Sequence, residues 1–242
     1  MPRYIVIGDI HGQRAALEAL LAQVPLTPDD IVVCVGDYVD RGPDTPGVLT
    51  RLIALQQAHP RCVFLRGNHD AMLLHFLDLI PHGDGAAYTL ACNGGLATLA
   101  HYGCPATLLR ACPEEHLPSL AVRHALRACL PHAHRTFLMA TTLRFITDEY
   151  VFVHAGINPA RSLAAQREED LLWIRAPFLT QQHGLPQTVV YGHTPTQDCD
   201  FDIRHEPAQR RIGVDTGAAY GGFLTALVLP DAQVLRVRCP AA

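Results

Sequence analysis

The chain has 242 residues, 49% of them hydrophobic, which suits a packed globular protein with one sizeable core rather than a disordered segment. Its net charge of −4 with histidine neutral argues against a nucleic-acid binder, which presents a basic face. All 19 basic residues are arginine, which excludes lysine Schiff-base chemistry and a P-loop.

Arg3 to Ile7 reads as a short β-branched strand that starts too early to leave room for a secretion signal. No apolar run reaches the roughly 18–20 residues needed to span a membrane, so a soluble, cytoplasmic protein is expected. Leu17, Leu20, Leu21 and Val24 then recur on one face of a helix. Ile31 to Val35 forms a buried strand ending at Gly36-Asp37. Pro43 and Pro46 open a helix carrying Val48, Leu49, Leu52, Ile53 and Leu55, and Cys62 to Leu65 is a third strand. This rhythm indicates βαβ units and a largely parallel sheet.

From Ala71 to about Thr142 the chain is rich in alanine and leucine, broken by Pro81, Gly83, Gly94-Gly95, Pro105, Pro113 and Pro131. It reads as several helices packed over the sheet. Its histidines (His75, His82, His101, His116, His124, His132 and His134) lack metal-ligand spacing and are expected on the surface or at caps. After it come strand-like runs at Tyr150–Val153, Thr188–Tyr191 and Ile212–Val214, then an antiparallel hairpin, Phe223–Leu229 and Gln233–Val237, turning at Pro230-Asp231. With no repeat or linker, residues 1–242 are expected to form a single domain with a helical segment at about 71–142.

The eight cysteines are Cys34, Cys62, Cys92, Cys104, Cys112, Cys129, Cys199 and Cys239. None forms a C-x-x-C pair, so reduced thiols are expected rather than a zinc knuckle or a disulfide framework.

Five short motifs carry the chemistry, each just after a β-like run: Gly8-Asp9-Ile10-His11-Gly12, Gly36-Asp37-Tyr38-Val39-Asp40-Arg41-Gly42, Gly67-Asn68-His69-Asp70, His154-Ala155-Gly156 and Gly192-His193-Thr194. Ligands of α/β sheets bind past the carboxyl ends of strands, where Asp9, Asp37, Asn68, His154 and His193 lie. Carboxylate, imidazole and amide donors together suit Mn, Fe or Zn better than Ca or Mg. A carboxylate such as Asp37 can bridge two ions about 3.5–4 Å apart, which hold a phosphoryl group and lower the pKa of bound water.

These blocks, in this order, resemble those of the phosphoprotein (serine/threonine) phosphatase family of calcineurin-like dinuclear metallophosphatases, and the resemblance covers nearly the whole chain. It implies an α/β fold, a central mixed β-sandwich flanked by helices. It further implies one metal held by Asp9, His11 and Asp37, and a second held by Asp37, Asn68, His154 and His193. By the same resemblance His69 is the general acid, Asp40 orients it, and Arg41 binds phosphoryl oxygens. Trp173-Ile174-Arg175 is similar to the block that supplies a second phosphate-binding arginine, Arg175. Tyr220 resembles a tyrosine lining the site. Arg66 is expected to support its loop rather than touch substrate.

Departures within the blocks refine this reading. Gly192-His193-Thr194-Pro195 lacks the second histidine of the G-H-x-H nucleases. Asp40-Arg41 is intact, whereas the related bacterial symmetrical diadenosine tetraphosphatases typically lack that aspartate. Asp70 stands where eukaryotic enzymes carry glutamate, as in a compact bacterial-type member. The expected activity is therefore a metal-dependent phosphomonoesterase acting on phosphoserine and phosphothreonine through a metal-bridging hydroxide. Two divalent ions are expected, Mn first, with Fe or Zn permitted. The partner is a phosphoprotein or phosphorylated small molecule, not nucleic acid or membrane. The alternatives are a symmetrical diadenosine tetraphosphatase or other nucleoside-polyphosphate hydrolase, and a non-catalytic phosphate-binding module.

Overall fold

The computed structural model describes residues 2–81, 90–107, 119–197, 200 and 202–240. Gly83, Pro113, His82, His116, Cys112 and Cys199 lie outside the described residues. The first half runs β1 (Tyr4–Ile7), α1 (Arg14–Gln23), β2 (Ile31–Cys34), α2 (Thr45–Ala58), β3 (Cys62–Phe64) and α3 (Asn68–Phe76). Helices α4 (Gly95–His101), α5 (Ser119–Cys129) and α6 (His132–Met139) follow, then β4 (Arg144–Ile146) and β5 (Tyr150–Val153). The chain ends with α7 (Glu168–Trp173), β6 (Thr188–Tyr191), β7 (Arg204–Glu206), β8 (Arg211–Gly213), β9 (Phe223–Leu229) and β10 (Gln233–Arg238).

Two sheets form, in the orders β10-β9-β1-β2-β3 and β4-β5-β6-β8-β7. Both are mixed. Strands β1, β2 and β3 are parallel to one another, as are β5, β6 and β8, while β4, β7, β9 and β10 pair antiparallel. This corrects the largely parallel sheet read from the periodicity. The reason is connection length. β4 reaches β5 through residues 147–149, β7 reaches β8 through 207–210, and β9 reaches β10 through 230–232. Turns so short can join only antiparallel neighbours, whereas a parallel crossover needs a dozen or more residues.

Side-chain alternation builds the layers. Tyr4 and Val6 of β1, with Val33, Val35 and Leu65, face Phe152, Val190, Ile212 and Val214 of the other sheet. Tyr4 seats its ring 5.4 Å from Phe152 and 5.7 Å from Tyr150, centroid to centroid. The opposite faces of the same strands, Ile5, Ile7, Val32 and Cys34, pack under α1 to α6. Val151, Val153 and Val189 pack under α7 and Phe178. The result is a mixed β-sandwich flanked by helices, with α3 to α6 covering the first sheet.

Helix α3 begins at Asn68, earlier than the apolar pattern indicates, because Asp70 accepts the Gly67 N–H at 2.9 Å and so caps the first turn. In α2, Asp44 accepts the Gly47 N–H at 2.8 Å, and Pro46 sits where its missing N–H costs nothing. His134 bridges Tyr102 and Thr50 in the interior at 2.8 and 3.1 Å, a structural role. Among the described residues every cysteine is a free thiol, and burial pushes the Cys34 thiol well up. No helix among them is long and apolar enough to cross a membrane.

Candidate active site

Parallel strands end on the same side of their sheet, so Asp9 and His11 after β1, Asp37 after β2, Asn68 after β3, His154 after β5 and His193 after β6 converge at one rim of the sandwich. Five residues here adopt left-handed backbone without being glycine: His11 (φ 43°), Asp37 (53°), Asp40 (71°), Arg41 (68°) and His193 (65°). Such conformations persist only where their surroundings over-determine them. Here the Asp37 carbonyl accepts from the N–H groups of Ile10 and His11 at 3.1 and 2.8 Å, and Gly12 donates to Tyr38 O at 3.0 Å. Asp70, fully buried, accepts from Asp37 N (2.9 Å), Tyr38 N (3.0 Å) and Gly67 N (2.9 Å). Burial and the nearby Asp37 push its carboxyl up to about 7, against those three N–H groups. Position 70 therefore holds Asp37 in place.

Gly67 is required by close approach. A Cβ there would lie 2.1 Å from Asp37 Oδ1 and 2.2 Å from Asp37 N. Gly67→Ala is expected to cost about 1–3 kcal/mol in stability, read as a melting temperature lower by roughly 2–12 °C, with loss of turnover at the site. An alanine variant with unchanged melting and rate would contradict this packing.

Around Asp37 the donors crowd. Its carboxylate oxygens lie 3.4 Å from His11 Nε2, 3.5 Å from His154 Nε2 and 4.0 Å from His69 Nε2. Asn68 Oδ1 lies 2.9 Å from both His154 Nε2 and His193 Nδ1. Two groups, His11–Asp37–His69 and Asp37–His154–His193, have ligand atoms within 4.8 Å of one another and share Asp37. Asp9 stands outside both groups. Its Oδ2 accepts from His193 N at 2.9 Å, while its buried Oδ1 has no hydrogen-bond donor.

Proton placement tests whether cations fit. His11 Nδ1 donates to Val39 O at 2.8 Å and His154 Nδ1 to Val35 O at 2.9 Å, so in the neutral ring each Nε2 is a lone pair. Burial lowers the pKa of His154. Burial, with His154 and Arg175 nearby, takes that of His193 down to about 2. A neutral His154 therefore aims a lone pair at the Asn68 and Asp37 oxygens with no proton between them. Burial, reinforced by Asp215 and Asp37, raises the Asp9 carboxyl well above its ordinary value. Lone pairs and buried carboxylates arranged this way fit divalent cations.

The remaining predicted residues surround this centre. His69 Nδ1 lies 2.8 Å from Asp40 Oδ2, with both side chains buried. Arg41 Nη1 lies 2.8 Å from His11 Nε2, and its guanidinium sits 5.2 Å from the centroid of the exposed Tyr220 ring. Arg175 is exposed and only loosely tethered, Nη2 to His193 O at 3.5 Å, beside Trp173, whose ring lies 6.1 Å from that of His193. The two arginines thus flank different donor groups. Arg66 bonds Thr141 Oγ1 (3.1 Å) and Thr141 O (3.2 Å), which keeps it in the loop-supporting role expected of it.

Two residues at the rim carry no role from the sequence. Asp215 follows β8 just as the others follow their strands, and burial pushes its carboxyl up to about 6. Its strand-end position was the available signal. Thr98 of α4 bonds Asp40, and no sequence pattern marks it.

Comparison with known proteins agrees with this geometry. Residues 2–219 match the profile described as calcineurin-like phosphoesterase. A serine/threonine-protein phosphatase 1 of Salmonella typhimurium is 29% identical over 91% of this chain and 88% of its own. An asymmetrical bis(5'-nucleosyl)-tetraphosphatase, PrpE, of Halalkalibacterium halodurans is 25% identical over 97% of this chain and 93% of its own. A crystal structure of a candidate diadenosine tetraphosphatase superposes with a TM-score of 0.68 at 26% identity, covering 100% of this chain and 95% of that one. The dinucleotide relative is of the asymmetrical kind, not the symmetrical kind that the sequence offers as an alternative. With the profile spanning most of its length and two donor groups sharing one aspartate at the strand ends, the chain belongs to the calcineurin-like phosphoesterase family, whose members use a dinuclear divalent metal site.

Proposed function

We propose that this phosphoesterase is a phosphomonoesterase that hydrolyses phosphoserine and phosphothreonine in soluble phosphoproteins of the cytoplasm. The observation that carries the reading is the buried Asp40–His69 pair at 2.8 Å, set beside the convergent donors and Arg41. Asp40 accepts the Nδ1 proton, so His69 presents Nε2 toward Asp37 as the position from which a proton can be given. A serine or threonine alkoxide is a poor leaving group and needs that proton, whereas a nucleotide leaving from a phosphoanhydride needs it far less. A fixed, buried acid therefore favours the ester.

In this reading Asp9, His11 and Asp37 would hold one ion, and Asp37, Asn68, His154 and His193 the other, with manganese first among the metals these donors accept. Bound there, the ions would supply Lewis acidity toward the phosphoryl oxygens and a water acidified for attack. Arg41 and Arg175 bind the remaining phosphoryl oxygens from opposite sides, a task suited to planar guanidinium forks. Tyr220, under the Arg41 guanidinium, steadies that arm.

The second reading is a nucleoside-polyphosphate hydrolase, favoured by the PrpE relative and by the superposition on the candidate diadenosine tetraphosphatase. Side-by-side kcat/KM values for a phosphoserine peptide and diadenosine tetraphosphate separate the two. The peptide is expected to be preferred by at least about tenfold, since the acid assists the ester far more than the anhydride. A preference for the dinucleotide would overturn the first reading.

A further inference from the structure

The geometry points to Thr98 as a positioning residue for the Asp40–His69 pair, which makes helix α4 part of the catalytic scaffold. This inference rests on the reading of His69 as the acid that protonates the leaving alkoxide. Thr98 Oγ1 accepts from Asp40 N at 2.9 Å and donates to Asp40 Oδ1 at 2.6 Å. One atom thus fixes both the main chain and the carboxylate of Asp40. The other carboxylate oxygen, Oδ2, is then the one turned to His69 Nδ1 at 2.8 Å.

The hydroxyl has a single proton, and Asp40 takes it. The contact between Thr45 Oγ1 and Thr98 Oγ1 at 3.2 Å must therefore run from Thr45 as donor to Thr98 as acceptor. A directed chain results: Thr45 to Thr98, Thr98 to Asp40, and from the other side His69 Nδ1–H to Asp40. With two donors on its oxygens, Asp40 is the carboxylate that ends both. Thr45, Thr98 and Asp40 are fully buried and His69 is 2% exposed, so water does not compete for these bonds.

The same helix also steadies the neighbour. Arg41 N donates to Gly94 O, just before α4, at 3.4 Å. Asp40 and Arg41 both have left-handed backbone, φ 71° and 68°. Thus the two residues that would carry the acid's orientation and the phosphate contact are both held by the start of α4. Leu99 roots that helix in the core under the first sheet.

Thr98→Val keeps the shape and removes the hydroxyl. It leaves a buried carboxylate oxygen and an N–H unpaired, so Asp40 turns and His69 loses its fixed acceptor. The test compares a phosphoserine peptide with p-nitrophenyl phosphate, whose leaving group needs little protonation. Thr98→Val is expected to lower kcat on the peptide by about 10–100-fold and on the aryl ester by less than about threefold, with KM and metal content near native. Thr98→Ser, which keeps the hydroxyl, is expected to stay within about threefold of native on both substrates. Equal losses on both substrates, or a serine variant as impaired as the valine, would overturn the proposal.

His69→Asn run in parallel separates the two claims. If it shows the leaving-group-selective loss and Thr98→Val does not, the acid stands and the role of Thr98 falls. If His69→Asn shows no selectivity, the acid reading fails and the Thr98 proposal with it. Should Thr98→Val not fold, Thr45→Val carries the test, with an expected selective loss of about two- to fivefold on the peptide. A uniform loss, or none, in that variant would count against the chain.

Discussion

Asp37→Asn is expected to remove most of the bound metal and lower kcat/KM by roughly 10³-fold or more, the worth of several kcal/mol of charge stabilisation. Asp37 is the one residue common to both donor groups. Burial works against its ionisation, yet His154, His69 and His11 hold its carboxyl well below the usual carboxylate range. Asparagine offers a single neutral oxygen, and its NH₂ group faces imidazole lone pairs. The backbone of position 37 keeps its bonds to Asp70, Ile10 and His11, so the fold is expected to survive. In the metal-free state the variant should melt below the native temperature, because a carboxyl that the neighbouring imidazoles hold below its usual range stabilises the folded protein when ionised, and asparagine removes that charge. Metal analysis, kinetics and thermal melting of stripped protein check the three parts. Native metal content in the variant would contradict the shared-ligand role.

His69→Asn is expected to behave differently. It should keep the metal and lower kcat on a phosphoserine peptide by roughly 10²–10⁴-fold. The imidazole is committed to Asp40 on one side, at 2.8 Å, and its Nε2 is 4.0 Å from Asp37 on the other. His154 Nε2 lies closer to that shared carboxylate, at 3.5 Å, and 2.9 Å from Asn68. His69 does lie close enough to His11 and Asp37 to be grouped with them as a ligand, so the metal content of the variant decides between the two roles. An asparagine variant that loses one ion per chain would make His69 a ligand. One that keeps both ions and loses rate only on alkyl phosphates would make it the acid.

The centre of the site was legible because each donor follows a β-branched run, and the ends of such runs are where parallel strands deliver side chains. Asp9, Asp37, Asn68, His154 and His193 all follow that rule. So does Asp215 after Ile212–Val214, although aspartate beside glycine is also an ordinary turn. Strand direction was legible in the hairpin Phe223–Leu229 and Gln233–Val237, which its short turn makes antiparallel, but not in the pairing of Phe223–Leu229 with Tyr4–Ile7, because nothing local in either run records a partner so distant in sequence. The edge strands Arg144–Ile146 and Arg204–Glu206 were missed because three half-exposed residues leave no period to detect. The start of α3 was hidden because Gly67-Asn68-His69-Asp70 has the composition of a loop. It becomes a helix only through the bonds that Asp70 accepts from the backbone of 37, 38 and 67. Thr98 lies 58 residues from Asp40 in a tract of alanine and leucine, and only tertiary packing gives it a partner.

In the proposed function, two ions sharing Asp37 enable ester hydrolysis. Its most direct test is a titration of chelator-stripped protein with Mn²⁺, following bound metal and phosphate release from a phosphoserine peptide in the same samples. Stripped protein is expected to show no turnover, and the rate to rise to its maximum as occupancy reaches two ions per chain. Turnover in the stripped protein, or a maximum reached at one ion, would contradict it.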